Sequence, residues 1–193
     1  MEESTKKIRS TVIIPNYNGI KYIENCLRSL AGERAHVIVV DNGSTDGSRE
    51  LVREKFPETG LLCLDRNYGF CKAVNCGIDR SRTTYVILLN NDTEVETGFV
   101  AALERAMDED SRVFSGAAQM RNLRQPELID DAGDYYCALG WAFARGKDRP
   151  AAGYMKGCRI FASCGGAAIF RRSVLERLGG LDENHFAYLE DID

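Results

Sequence analysis

The sequence predicts an α/β fold, a mostly parallel central sheet flanked by helices. Three observations carry this. Short β-branched apolar runs alternate with segments of helical period, which is the pattern of successive strand–crossover–strand units. Four of those runs end abruptly in asparagine or aspartate. The chain has 193 residues, enough for a single domain with a sizeable core.

The elements follow in order. "TVIIP" at 11–15 reads as a buried parallel strand closed by a proline. Ile20, Ile23, Leu27 and Leu30 recur at helical spacing, so 19–31 is an amphipathic helix. "HVIVV" at 36–40 is the second strand, followed by the turn residues "DNGSTDGS" and a helix over 46–56. "LLCL" at 61–64, a helix over 70–80, "YVILL" at 85–89 and a helix opening at "FVAALERAM" repeat the cycle, and "VFSGAA" supplies a fifth strand. From 119 to 160 periodicity is lost, and a stretch this long inside a compact domain suits a functional flap better than a linker. "ASCGGAAIF" restores a turn and a strand. A helix over 172–178 then ends at Gly179 and Gly180, and Asp193 falls in the first turns of a further helix.

Composition narrows the function. Hydrophobic residues make up 44% and charged residues 28%, which excludes disordered and fibrous classes. A net charge of -4 disfavours nucleic acid as a partner, because a phosphate-tracking surface needs a basic excess. No apolar run reaches the ~20 residues of a membrane span, and "MEESTKKIRS" lacks the apolar stretch of a signal peptide, so the expected location is cytoplasmic. The seven cysteines form no CxxC pair and are expected as reduced, small apolar residues.

In open parallel sheets, ligands bind beyond the carboxyl ends of the strands. There this sequence carries "PNYN" (15–18), "DNGSTD" (41–46), "DRNYG" (65–69) and "NNDTE" (90–94). Neither GxGxxG after the first strand nor GxxxxGK[ST] is present, which disfavours a dinucleotide site and a P-loop. A nucleotide held by side chains and a diphosphate held by a metal remain. Asp41 could accept the imide N–H of uracil or thymine, Tyr17 could stack on the base, and Asp92 could hold Mg2+ or Mn2+ with phosphate oxygens completing the shell. Turn-capping for Asp41, loop-plugging for Tyr17 and helix-capping for Asp92 are the structural alternatives.

"VIIPNYNG", "VIVVDNGSTDGS", "NYGFCKAVNCGI", "LLNNDTEV" and "CGGAAIFRRSVLERLGGLDENHFAYLEDID" together resemble the family-2 glycosyltransferases of the GT-A fold, in particular the bacterial rhamnosyltransferase-like branch. The resemblance runs from about residue 9 to the end and is weakest over 119–157. It implies one GT-A domain over 1–193, with a nucleotide-sugar half (8–118), an acceptor and catalytic half (119–193), and a continuation beyond residue 193. Asp41 corresponds to the base-reading aspartate and Tyr17 to its aromatic neighbour. Pro15, Asn18, Asn42 and Ser44 share their two loops. Asn67, Gly69, Lys72 and Asn75 match the segment lining the nucleotide cleft. Asn90, Asn91 and Asp92 occupy the DXD position, with Asp92 the metal ligand and an asparagine in place of the first aspartate. Glu190 and Asp191 resemble the catalytic pair, Asp191 being the general base.

The resemblance implies an inverting transfer from a UDP or dTDP sugar, dTDP-rhamnose being favoured, to a hydroxyl of a saccharide or lipid-linked saccharide in cell-surface polysaccharide or glycolipid synthesis. Gly165 and Gly166 are expected at the floor of the sugar or acceptor site, with His185 close by and Trp141 and Arg145 facing the acceptor. Peripheral association with the inner face of the membrane is expected through the continuation. The competing expectation is a module that binds a nucleotide sugar without turning it over. A sugar-phosphate nucleotidyltransferase is disfavoured, because "PNYNGIKYIEN" has no glycine-rich loop with an arginine.

Overall fold

A computed structural model describes residues 7–193. The strands and helices alternate as β1 (Ser10–Asn16), α1 (Ile23–Ser29), β2 (His36–Asp41), α2 (Ser48–Lys55), β3 (Gly60–Cys63), α3 (Phe70–Arg80), β4 (Tyr85–Leu89) and α4 (Phe99–Glu109). Then come five short strands: β5 (Ser115–Ala117), β6 (Met120–Arg121), β7 (Ile129–Asp131), β8 (Asp134–Tyr136) and β9 (Ala142–Ala144). A 3-10 turn at Ala151–Tyr154, β10 (Ala167–Arg171) and α5 (Arg172–Leu178) complete the order.

Six strands form the central sheet in the order β3-β2-β1-β4-β10-β5. The pairs β3–β2, β2–β1 and β1–β4 are parallel, and β10 lies antiparallel between β4 and β5. The sheet is therefore mostly parallel, as expected. The fifth expected strand does not sit next to β4, because β10 returns from the far end of the chain to take that place.

The period of two along β1 explains how both faces are covered. Val12 and Ile14 point to one face with Val39, Ile87, Leu89 and Ile169, and α1, α2 and α4 pack there. Ile13 points to the other face with Val40, Val86, Leu88, Ala168 and Phe170, against α3 and α5. All five side chains of β4 are buried, which is why "YVILL" reads as a continuous apolar run and not an alternating one. Burial of each such side chain stabilises the fold by about 1.5–3 kcal/mol before conformational entropy is counted. Gly77 lets α3 approach the sheet, since a Cβ there would lie 2.5 Å from Cγ2 of Ile13.

Three local expectations change. The first helix is shorter than the periodicity of 19–31, because the chain turns over 20–22 before α1 begins at Ile23. The aperiodic segment is not one loop but two small antiparallel pairs, β6–β7 and β8–β9. Among the described residues no helix forms after α5. Tyr188 and Leu189 adopt left-handed φ of 73° and 65°, conformations that interrupt a right-handed helix, and only one turn closes after them. Gly179 and Gly180, at φ 88° and 87°, do end α5 as expected. Cys26 and Cys71 are buried like small apolar residues, whereas Cys63 and Cys158 are exposed.

Candidate active site

The carboxyl ends of β1, β2 and β4 meet on one rim, held together by side-chain amides and carboxylates. Asn16, at the end of β1, is 1% exposed. Its Nδ2 donates to Asp41 Oδ2 (3.1 Å), Ser48 Oγ (3.0 Å) and Ser44 Oγ (3.3 Å), and its Oδ1 accepts from Asn91 Nδ2 (2.7 Å). The two turn segments are laced to each other as well. Asn18, in a left-handed conformation at φ 52°, donates its N–H to Ser44 Oγ (2.9 Å) and accepts from the Thr45 N–H (2.9 Å). Asp46 accepts the N–H groups of Ile20 (2.8 Å) and Ser48 (3.0 Å) and the Ser48 hydroxyl (2.6 Å). Those donors hold its carboxyl below the usual range despite the burial that opposes them.

Asp41 is fully buried, and this departs from a carboxylate open to a base. Its Oδ1 accepts the Ser44 N–H (3.1 Å) and both Nε (3.1 Å) and Nη2 (2.9 Å) of Arg49, which lies over it. Among the described residues Oδ2 has Asn16 as its single donor and keeps a lone pair. Asn42 is also buried; its amide donates to Asn67 Oδ1 and Gly69 O (both 2.9 Å) and accepts the Tyr68 N–H (3.0 Å). Tyr17 is 51% exposed at the rim, with Pro15 half-buried beneath it in β1.

Lys72 and Asn75 contact the segment that follows α5. Asn75 donates to Leu181 O (2.9 Å) and Glu183 and accepts the Leu181 N–H (2.9 Å), and Lys72 pairs with Glu183 (3.1 Å). They clamp the segment after α5 to α3. Gly69 serves the same junction: a Cβ there would strike Phe186 O at 2.5 Å, and the Phe70 N–H donates to that oxygen. Asn75 also lines the cavity beside Glu190 and Asp191.

Across the rim, that clamped segment delivers Glu190 and Asp191. Asp191 Oδ2 accepts the Gly165 N–H (3.3 Å), and Gly166 O accepts the Asn90 N–H (2.9 Å). Gly165 and Gly166 thus lie between the β4 exit and Asp191. Burial pushes the Glu190 carboxyl up, aided by the charge of Asp191 and opposed by His185, and among the described residues its buried Oε2 has no hydrogen-bond partner. Beside them Asp131, Asp134 and Cys164 bring their ligand atoms within 4.8 Å of one another. Burial pushes Asp134 up to about 6 and Cys164 up to about 12, and Asp191 adds to both effects. Asp131 and Asp134 were not singled out by sequence reasoning; the signal was the acidic run "DDAGD" inside an aperiodic stretch.

Among the described residues three donor sets could hold a cation: Asp92, the group Asp131, Asp134 and Cys164, and the more exposed group Asp182, His185 and Asp193. Asp92 is exposed in the turn after β4, and among the described residues no hydrogen bond or ion pair engages its side chain. With amide and phosphate oxygens it makes a hard-oxygen set that fits Mg2+ or Mn2+. Asp131, Asp134 and Cys164 mix carboxylates with a thiol that keeps its proton, and fit such an ion less well. A cavity of about 810 Å³ opens beside Glu190 and Asp191, lined also by Leu88, Phe114, Phe170 and Leu175. It excludes Asp41 and Asp92, and its apolar floor marks it as uncovered sheet face instead of a diphosphate site.

The family model for glycosyl transferase family 2 matches residues 11–179, the span that contains the exits of β1, β2 and β4 and stops short of Glu190 and Asp191. The chain belongs to glycosyl transferase family 2. Over 210 aligned residues it is 28% identical to the N-acetylglucosaminyl-diphospho-decaprenol L-rhamnosyltransferase of Mycobacterium tuberculosis, covering 94% of this chain and 67% of the relative. A mannosyltransferase of Pyrobaculum calidifontis in complex with GDP-Man and Mn2+ superposes with a TM-score of 0.68 at 22% identity, over 97% of this chain and 51% of that one. TarS 1-349 of S. aureus in complex with UDP-GlcNAc superposes with a TM-score of 0.70 at 20% identity, over 95% and 51%. These likenesses show the GT-A fold. This family 2 chain spans about half the length of the solved structures it matches. Among its described residues no helix is long and apolar enough to cross a membrane.

The acid cluster of this family 2 chain has a stability consequence. Asp134 titrates at about 6 in the fold against an ordinary 3.8, so the folded chain binds more protons than the unfolded one between those values. The sign is that its contribution is most favourable below 3.8 and is lost as pH rises through about 6. Asp134→Asn should leave stability near pH ~4 unchanged and raise it by about 1 kcal/mol near pH ~7, solvent screening included. Urea unfolding of both proteins at the two pH values checks this.

Proposed function

We propose that this chain is the donor-binding and catalytic part of an inverting glycosyltransferase. It would take a UDP or dTDP sugar, with dTDP-rhamnose favoured, and transfer the sugar to a hydroxyl of a saccharide or lipid-linked saccharide in cell-surface polymer synthesis. The observation that carries this is the convergence on one rim of Asp41, Asn91 and Asp92, with Asp191 held opposite through Gly165. The M. tuberculosis relative, a rhamnosyltransferase by name, supports the donor class and the lipid-linked acceptor.

In this reading Tyr17 covers the base and Asp41 accepts its imide N–H once Arg49 swings aside, with Ser44, Asn18 and Asn42 holding the loops in place. Asn90 and Asn91 offer amides to the ribose and phosphates. Asp92 would hold a Mg2+ or Mn2+ ion, which offsets negative charge on a departing diphosphate. Asp191 takes the proton of the acceptor hydroxyl while its oxygen attacks the anomeric carbon and the bond to the diphosphate breaks, so the configuration inverts. Glu190, Asp131 and Asp134 adjoin that base. The acceptor side is the β8–β9 hairpin, whose Tyr136, Trp141 and Phe143 are exposed and whose base at Asp134 adjoins the acid cluster. His185, beside Glu190, belongs to the same side.

A second reading, donor binding without turnover, is favoured by one observation: among the described residues a single 3.3 Å hydrogen bond engages the Asp191 side chain. Calorimetry with UDP, dTDP and GDP, with and without Mn2+, beside a transfer assay on the full-length protein, separates the readings. Micromolar binding of UDP or dTDP that strengthens with Mn2+ and excludes GDP is expected, with sugar transfer. Binding without transfer selects the second reading, and no binding overturns both.

A further inference from the structure

Asn16 joins three elements through one side chain: the exit of β2 at Asp41, the start of α2 at Ser48 and the exit of β4 at Asn91. It is the protein bridge between the half of the rim that would hold a base and the half that would hold a cation. Gly19 shows how closely that bridge is roofed. A Cβ at Gly19 would fall 2.2 Å from Asn16 Oδ1 and 2.2 Å from Asn91 Nδ2, the two atoms of the hydrogen bond itself. Gly19 does not adopt a left-handed φ, so backbone conformation does not demand glycine there. What demands it is room for the amide pair.

We propose that Asn16 is a positioning residue that couples nucleotide binding to metal binding. The inference rests on the donor-site reading above. A base that engages Asp41 in place of Arg49 leaves Asn16 Nδ2, with the Ser44 N–H, as the protein donors to that carboxylate. The orientation of the Asn16 amide sets where Oδ1 points, and Oδ1 holds Asn91, the neighbour of Asp92. A buried amide hydrogen bond contributes about 1 kcal/mol, so losing it changes the mutual effect of the two ligands by roughly five- to tenfold.

The test is a set of Mn2+ titrations on the full-length protein with and without UDP or dTDP, giving the factor by which nucleotide strengthens Mn2+ binding. Asn16→Ala and Asn91→Ala should each lower that factor about fivefold, and the double variant no further than either single one. Gly19→Ala, which removes no polar group but forces the pair apart, should lower it likewise. A general loss of stability moves the melting temperature but not this ratio. An unchanged factor in folded Asn16→Ala, or single effects that multiply in the double variant, overturns the proposal. Should Asn16→Ala fail to fold, Asn91→Ala reads the same bond from the half-exposed side, and an unchanged factor there overturns it equally. A wild-type protein that binds nucleotide and Mn2+ but shows no coupling overturns this inference alone, whereas one that binds neither nucleotide overturns the donor-site reading with it.

Discussion

Asp191→Asn should lower sugar transfer by about 10²–10⁴-fold while leaving the affinity for the donor nucleotide within about twofold. The asparagine keeps the shape and still has an oxygen to accept the Gly165 N–H, so the turn is undisturbed. What it cannot do is bind the proton of the acceptor hydroxyl. Single-turnover transfer on the full-length protein, measured beside calorimetric nucleotide binding, decides the matter. Retained turnover would sink the assignment of Asp191 and pass the role of base to Asp134 or Asp131 in the adjoining acid cluster. Glu190→Gln should have the smaller effect, because the acceptor proton goes to Asp191 and Glu190 only adjoins it.

Asp92→Asn should abolish the strengthening of nucleotide binding by Mn2+ and lower transfer by about 10²–10³-fold. The effect is concentrated in one residue because the position two before it carries an amide, Asn90, where a second carboxylate would share the charge. The reverse substitution makes the same point: Asn90→Asp should tighten Mn2+ binding in the absence of nucleotide. Mn2+ titration followed by electron paramagnetic resonance reads both variants. Unchanged Mn2+ affinity in Asp92→Asn would move the cation to Asp131, Asp134 and Cys164 or to Asp182, His185 and Asp193.

The two expectations differ in how far they were legible. Asp92 lies three residues past β4, and a buried run ended by amides and a carboxylate announces its own position on the rim. Asp191 could be named only by resemblance. Its neighbourhood is built from Gly165, 26 residues away in sequence, and from Asp131 and Asp134 in a stretch with no period. Lys72 and Asn75 take partners that no local pattern announces. A polar side chain at a helix start takes whichever partner the fold brings, and here that partner is segment 181–183.

Local physics alone, carried by the sequence, determined the alternation of strands and helices, the fully buried β4, the glycine stop of α5 and the line of polar exits at the strand ends. Each depends on residues within a turn or a few positions along a strand. The tertiary structure alone decided that β10 enters antiparallel beside β4, that Arg49 lies over Asp41, and that Asn16 ties β1 to both β2 and β4. These depend on contacts 8 to 86 positions apart, Arg49 being 8 from Asp41 and β10 pairing Arg171 with Tyr85. No local preference encodes them; they result from which side chains remain unpaired once the sheet has closed.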